Sequence, residues 1–524
     1  MKFRFAFGCL SVKKGPQGKP SMKHSIHLLF TLALLAPSLT FASKPAAAPS
    51  PSAKQVNLPA GTNDVDSAII SHFENIVDHS RIAGKCLNCH PNQFRDVSSS
   101  IHGKAGLLKT LPEGSLCLTC HEMNHIVKDP LKIQNFQLET FSNVPHELAC
   151  MRCHADATVA KAFGFPPHVP SEYEQSIHYR KAAIGEAKAP LCFDCHGAHN
   201  IVRVENPSSP VHEAQRVKVC AQCHPGANAT FASVFDHTPI GPEEKPLEYW
   251  VIVIFKILTL GTFMALGLFI LLDVMATIRQ AIMPKSKRPH EHAKKEGPQQ
   301  FVERLPFHLR LQHFLMLSSV ITLVITAWPL LSPESSVSQA LTRMLGGAHM
   351  LAMIHRTAGF IMIGDFIYHV VFLYLRFRAG GRFHPMTPMP KDIFDLKDMI
   401  FFFFGLRDKR PDFDQFAFHE KFDYWAVFWG VAMMGGSGLV LTFPTVTAHL
   451  LPGWAIKLSN IIHADEALLA AMVLFIWHFY NVHLKPGIFP MNWAWLTGRM
   501  KKDLYEHEHA GHVEKLRKQG KWKD

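Results

Sequence analysis

HRTAGFIMIGDFIYHV, residues 355–370, places two histidines fourteen residues apart inside a longer apolar stretch, 348–375. That stretch is long enough to cross a bilayer as a helix. A ring facing lipid is costly, so a histidine inside a span marks a function. Fourteen residues correspond to ~21 Å of helix rise, and at about 100° per residue His355 and His369 stay within roughly 60° of one face.

Four more stretches, near 249–273, 307–331, 422–443 and 461–484, have the same character, giving five spans. The last repeats the pattern: His463 and His478 lie 15 residues apart on nearly one face. A helix–helix hydrogen bond is the bland employment of one such histidine, and two matched pairs argue against it. Pairs at two depths are the arrangement for two haems stacked across a membrane.

The segments between spans carry an uneven charge. Segments 276–306, 376–420 and 485–524 hold 7, 8 and 9 Lys plus Arg, whereas 332–347 and 444–460 hold one each. Basic segments stay inside, so the C-terminus is expected in the cytoplasm and the N-terminal region outside. This asymmetry accounts for much of the formal charge of +12 without nucleic acid as a partner.

The N-terminus agrees. SIHLLFTLALLAPSLTFAS follows Met22-Lys23-His24 and reads as a secretory signal cleaved after Ala42, with Met22 as the expected true start. Residues 43–68 begin with a Pro/Ala/Ser-rich linker.

Ten of the 11 cysteines then fall into five strings of one kind: CLNCH (86–90), CLTCH (117–121), CMRCH (150–154), CFDCH (192–196) and CAQCH (220–224). A zinc ribbon uses two CxxC pairs per metal and would orphan one of five. A disulfide scaffold has no reason to keep one spacing five times. Covalent haem c explains every element: Cys86, Cys89, Cys117, Cys120, Cys150, Cys153, Cys192, Cys195, Cys220 and Cys223 form thioethers, and His90, His121, His154, His196 and His224 are the proximal iron ligands.

An internal repeat supplies the other axial ligands. SSSIHGKA (98–105) precedes the second string and EQSIHYRKA (174–182) the fourth, and a further histidine follows each of those strings. A third half-unit, CHPGANATFASVFDH, mirrors CHPNQFRDVSSSIH. The repeat singles out His102, His125, His178, His199 and His237 as distal ligands, without saying which serves which iron. Six-coordinate haems suit electron transfer, because a reductase site keeps an open position.

The stretches 310–328, 355–370, 420–443 and 463–486, with the amphipathic segment 390–408, resemble the four helices and inner segment of the di-haem cytochrome b subunit of formate dehydrogenases and related hydrogenases. Joined to an exported multihaem domain, the chain resembles the membrane cytochrome b/c quinol oxidoreductases of metal-respiring bacteria. The resemblance implies His355 with His463 at an outer haem b and His313 with His478 at an inner one. The chain departs from the pattern in two respects. The His463–His478 gap is one residue longer than the pattern, and His369 sits at the depth of His313 and His478, where it is either a ligand in place of His313 or a neighbour of the quinone. The family's polar quinone contact is not reproduced; His419 and Glu420 occupy that neighbourhood.

The expectation is a mostly α protein. It comprises a signal peptide (1–42), a linker (43–68), a pentahaem cytochrome c domain with little regular structure (69–245), a membrane tether (246–280), a four-helix cytochrome b bundle (300–490) and a cytoplasmic tail (491–524). The expected function is oxidation of membrane quinol, with five haem c and two haem b passing electrons to a periplasmic cytochrome or other redox partner. The expected location is the bacterial inner membrane, with the haem c domain in the periplasm. His369, His419 and Glu420 are candidates for the quinone and proton site. The rivals are a subunit of a dehydrogenase or hydrogenase complex reducing quinone, a terminal multihaem reductase and, more weakly, a haem-based sensor.

Overall fold

A computed structural model describes residues 90–104, 150–151, 153–283, 299–379 and 384–522; the expected signal peptide and linker lie outside the described residues. The protein is mostly helical, and among the described residues five helices are long and apolar enough to cross a membrane.

The N-terminal region is built of short helices: α1 (Pro91–Ser99), α2 (Ala157–Phe163), α3 (Val169–Glu174), α4 (Ile177–Ala183), α5 (Cys192–His196), α6 (Arg216–Cys223) and α7 (Ala229–Ala232). Among its described residues the buried apolar side chains are few: Val159, Ala160, Tyr173, Ile184 and Ala232. So little apolar surface does not by itself offset the entropy of ordering this many residues.

The five spans follow. They are α8 (Pro246–Ile282), α9 (Phe307–Leu331), α11 (Ala348–Arg378), α13 (Phe418–Thr442), and α15 (Gly453–Met472), which runs on as π-helix through Val473–His478 and Tyr480–Leu484. Between them lie α10 (Ser336–Met344), α12 (Pro390–Phe403) and α14 (Pro444–Leu450). Successive spans alternate in direction, so each has a near end beside the N-terminal region and a far end. α9 packs on α11, α11 on α13, α13 on α15, and α8 on the outside of α15. Leu260, Met264, Leu268 and Leu271 on α8 are exposed, as a peripheral helix in lipid requires.

α8 is more than a tether. Asp273, 1 % exposed, accepts hydrogen bonds from Arg410 Nη2 at 2.8 Å and Tyr480 Oη at 2.8 Å. Arg279 donates to the carbonyls of Phe402 and Phe403 at 2.7 and 3.0 Å, satisfying the last turn of α12. Ala276 joins Met399, Phe402, Phe403, Phe413 and Ala417 in one apolar cluster.

The far end is closed by the C-terminal segment, α16 (Ala494–Thr497), β2 (Arg499–Lys501), α17 (Lys502–Glu508) and α18 (Ala510–Lys518). β2 pairs antiparallel with β1 (Phe301–Glu303), Val302 opposite Met500. Two buried ion pairs lock this base: Lys485 with Glu508 at 3.1 Å and Arg304 with Glu420 at 2.9 Å.

Candidate functional site

The C-x-x-C-H spacing places its two thiols and its imidazole at i, i+3 and i+4, neighbouring positions on one helical face. α5 is that single turn, and α6 carries Cys220 and Cys223 with His224 at its C-terminal end. The repeated Ser-Ile-His has an equally local cause. Ser100 Oγ accepts from the backbone N–H of His102 at 3.2 Å, and Ser176 Oγ from that of Tyr179 at 3.2 Å. In each case the serine caps the turn that presents the histidine two residues on.

Among the described residues, five pairs of imidazoles face one another. Ring centres lie 6.3 Å apart for His102–His154, 6.3 Å for His178–His224 and 6.2 Å for His196–His237. Inside the spans they lie 6.4 Å apart for both His355–His463 and His313–His478. Each pair in the N-terminal region joins the histidine of a C-x-x-C-H string to one that the repeat singled out. A metal–imidazole bond of about 2 Å on each side of one iron, plus about 1.2 Å from each nitrogen to its ring centre, separates the centres by about 6.4 Å. The residues therefore fit a haem with two axial imidazoles at all five places. Among the described residues no three of His, Cys, Asp and Glu converge on a bare ion; the pairs offer two ligands, the number a six-coordinate haem takes.

The six paired imidazoles of the N-terminal region are held below their ordinary range, burial being the largest cause for each. His154 and His178 are pushed down to about 4, with His102 and His196 adding to the effect on the first, and His224 and Lys181 on the second. All six are thus neutral at pH 7, the form that ligates a metal. Cys195, Cys220 and Cys223 are not in disulfides. Cys86, Cys89, Cys117, Cys120, His121 and His125 lie outside the described residues. His90 is exposed ahead of α1, and His199 is half-buried behind α5.

The sites form a series. His154 lies within electrostatic reach of His196, linking the first pair to the His196–His237 pair. Phe235 packs at 5.3 Å on both His178 and His237, so it lies between their two pairs. The His355–His463 pair occupies the near half of the spans and the His313–His478 pair the far half.

Within the spans, hydroxyls fix the rings. Thr326 Oγ1 donates to the Thr322 carbonyl at 2.7 Å and accepts from His355 Nδ1 at 2.8 Å. Ser437 Oγ donates to the Met433 carbonyl at 2.8 Å and accepts from His463 Nδ1 at 3.0 Å. Asp423 Oδ2 accepts from His478 Nδ1 at 3.2 Å. Each arrangement sets the proton on Nδ1 and leaves Nε2 free to accept, the nitrogen that would hold an iron. Gly438 makes the approach possible: a Cβ there would stand 3.2 Å from His463 Cε1.

The long His463–His478 gap has a structural cause. Fifteen residues of α-helix leave roughly 60° of rotation between the rings. The π-helical turns from Val473 to His478 wind more slowly per residue and absorb that offset.

His369 stands apart from His478. Its Nδ1 donates to Gln312 Oε1 at 2.7 Å, and its Nε2 accepts from the Tyr424 hydroxyl at 2.8 Å. His313, the neighbour of Gln312 in sequence, is the residue facing His478. Tyr424 lines a cavity of 180 Å³ with Leu373, Arg376, Phe377, His384 and Trp425. His384 lies flat against the Tyr424 ring at 5.9 Å. Burial, then Arg376 and His369, holds His384 down at about 4.

His419 and Glu420 have other employment. Glu420 accepts from the Ala417 N–H at 2.8 Å and pairs with Arg304, capping α13. His419 is buried edge-on against Phe413 and Phe418. Neither lines the cavity beside Tyr424. Sequence reading missed Thr326, Ser437, Asp423, Gln312 and Tyr424, whose only signal was a polar group inside a span.

Comparison of the chain with protein-family models and with curated proteins finds no match.

Proposed function

We propose that the chain is a membrane quinol:cytochrome c oxidoreductase, as its resemblance to cytochrome b/c proteins implies. The observation that carries this reading is the run of imidazole pairs at 6.2–6.4 Å through the N-terminal region and both halves of the spans. Haem held by these pairs supplies one-electron carriers; the chain supplies ligation, spacing and a dry surrounding.

His369 and Tyr424 handle the protons. Quinol loses two protons with its two electrons, so its hydroxyls need acceptors. The Tyr424 oxygen lies at the cavity and can take a proton from quinol while its own passes to His369 Nε2, which already accepts that hydrogen bond. Gln312 holds His369 in the receiving tautomer. The apolar walls from Leu373, Phe377 and Trp425 suit a quinone ring, and His384 is a second acceptor at the rim. The test is reduction of membranes containing the chain by a short-chain quinol, followed in the visible spectrum. Quinol-driven reduction of c haem that is abolished in His355→Ala supports the reading, and c haem that quinol never reduces refutes it.

A further inference from the structure

Where the N-terminal region meets the near ends of the spans, three cations lie beside two acids, Glu186 and Glu334. α4 carries Arg180 and Lys181 in its last turn. It is fixed on the membrane bundle by the Tyr179 hydroxyl donating to Glu334 Oε1 at 2.8 Å, and by Gln339 Nε2 donating to the Ala183 carbonyl at 2.6 Å. Arg180 Nη1 reaches the Leu330 carbonyl, the end of α9, at 3.5 Å. From the membrane side comes Arg356, the residue after His355 on α11. Its guanidinium is near enough to act on Lys181, whose ammonium is lowered first by burial and then by Arg356, with Glu186 opposing. Lys181 acts in turn on His178 and His224.

Among the described residues none of these three cations forms an ion pair, and Glu334 is engaged by Tyr179. A guanidinium on a membrane span is expensive unless it has a partner. Cations left without an ion-pair partner call for an anion from outside the polypeptide.

We infer that Arg180, Lys181 and Arg356 form a carboxylate-binding seam whose ligands are the propionate groups of haem held by the His178–His224 and His355–His463 pairs. The inference rests on the haem reading above. Both pairs belong to the elements that carry the cations: His178 precedes Arg180 by two residues, and His355 precedes Arg356 by one. Arginine offers a planar fork matched to a carboxylate, and lysine a compact charge beside it. A lipid phosphate has related chemistry, but Arg180 and Lys181 are half-buried at the junction, which favours a ligand fixed within the fold.

The experiment uses the full-length chain in membranes, as wild type, Arg356→Gln, Lys181→Gln and Arg356→Lys. Haem is counted first by pyridine haemochrome, and then b and c haems are titrated optically with redox mediators at one pH. Removing a nearby cation disfavours the electron-richer ferrous state, so each Gln variant should keep its haem and lower the ferrous-to-ferric ratio of the affected haem about tenfold at fixed potential. Arg356→Lys should recover most of it. Loss of that haem from Arg356→Gln, with retention in Arg356→Lys, also supports the seam. Full haem content with unchanged potentials in both Gln variants overturns it, as does loss of bound anionic phospholipid with unchanged potentials, which would assign the seam to lipid. A wild-type chain without haem overturns both this inference and the reading beneath it.

Discussion

Thr326 offers a sharp perturbation, because one hydroxyl carries its whole role. It is 1 % exposed, and its oxygen accepts the hydrogen bond from His355 Nδ1 at 2.8 Å. Thr326→Val keeps the side chain's shape and removes that acceptor. Losing a partner that orients a ligating imidazole weakens metal affinity about 10–100-fold, or about 1.4–2.7 kcal/mol. The cost of leaving a buried N–H unsatisfied gives the same range, about 1–3 kcal/mol. The assay is transfer of haem from the purified chain to an excess of apoglobin, followed in the visible spectrum. One b haem should leave 10–100-fold faster, while covalent c haems stay. Ser437→Ala, on the opposite ring, should act on the same haem. Thr322→Val is the control, since its hydroxyl serves only the Ser318 carbonyl at 2.8 Å. Unchanged retention in Thr326→Val, or an equal effect from Thr322→Val, would refute the argument.

At the far pair, His313→Ala should lose one b haem, whereas His369→Ala should keep both and slow quinol oxidation by about 10²–10⁴-fold, the usual worth of a positioned proton acceptor. If haem content responds the other way round, the two histidines must exchange roles. His102→Ala, His178→Ala and His237→Ala should each turn one low-spin c haem high-spin in electron paramagnetic resonance; a stoichiometric high-spin signal already present in the wild type would favour a terminal reductase. At the base of the bundle, burial alone would raise the Glu508 carboxyl, but Lys485 and His507 hold it well below the usual 4.5. A depressed carboxyl stabilises the fold above its unfolded value and loses that contribution as pH falls through the folded one. Lys485→Met, which leaves Glu508 to His507 and Arg410, should therefore cost up to about 3 kcal/mol at pH 7, with the deficit shrinking as pH falls below 4.5 toward the folded value, as thermal melts at several pH values would record.

The spans were legible because length and apolarity are local properties. Their ends were less so: the first runs to Ile282 and the last begins at Gly453, each beyond its apolar core, because polar contacts hold the extensions. Gly453 begins where a Cβ would stand 3.0 Å from the Thr230 carbonyl, a contact that hydropathy cannot reveal. The integration of α8 depends on Asp273, Arg410 and Tyr480, which lie far apart in sequence. The histidines that face one another stood out through repetition and spacing. The pairing within the N-terminal region did not, because His102 faces the third C-x-x-C-H string and His178 the fifth, across intervening strings. His313 and His369 share a depth, and their partners separate them: His313 faces His478, whereas His369 donates to Gln312 and accepts from Tyr424.

Quantifying haem in the purified full-length chain tests the account most directly. Pyridine haemochrome spectra before and after acid–acetone extraction separate covalent from extractable haem. The account predicts five covalent haems for the five C-x-x-C-H strings and two extractable haems for the two pairs of span histidines. A chain from cells competent in haem attachment that instead carries zinc, or keeps its cysteines as thiols, would contradict it.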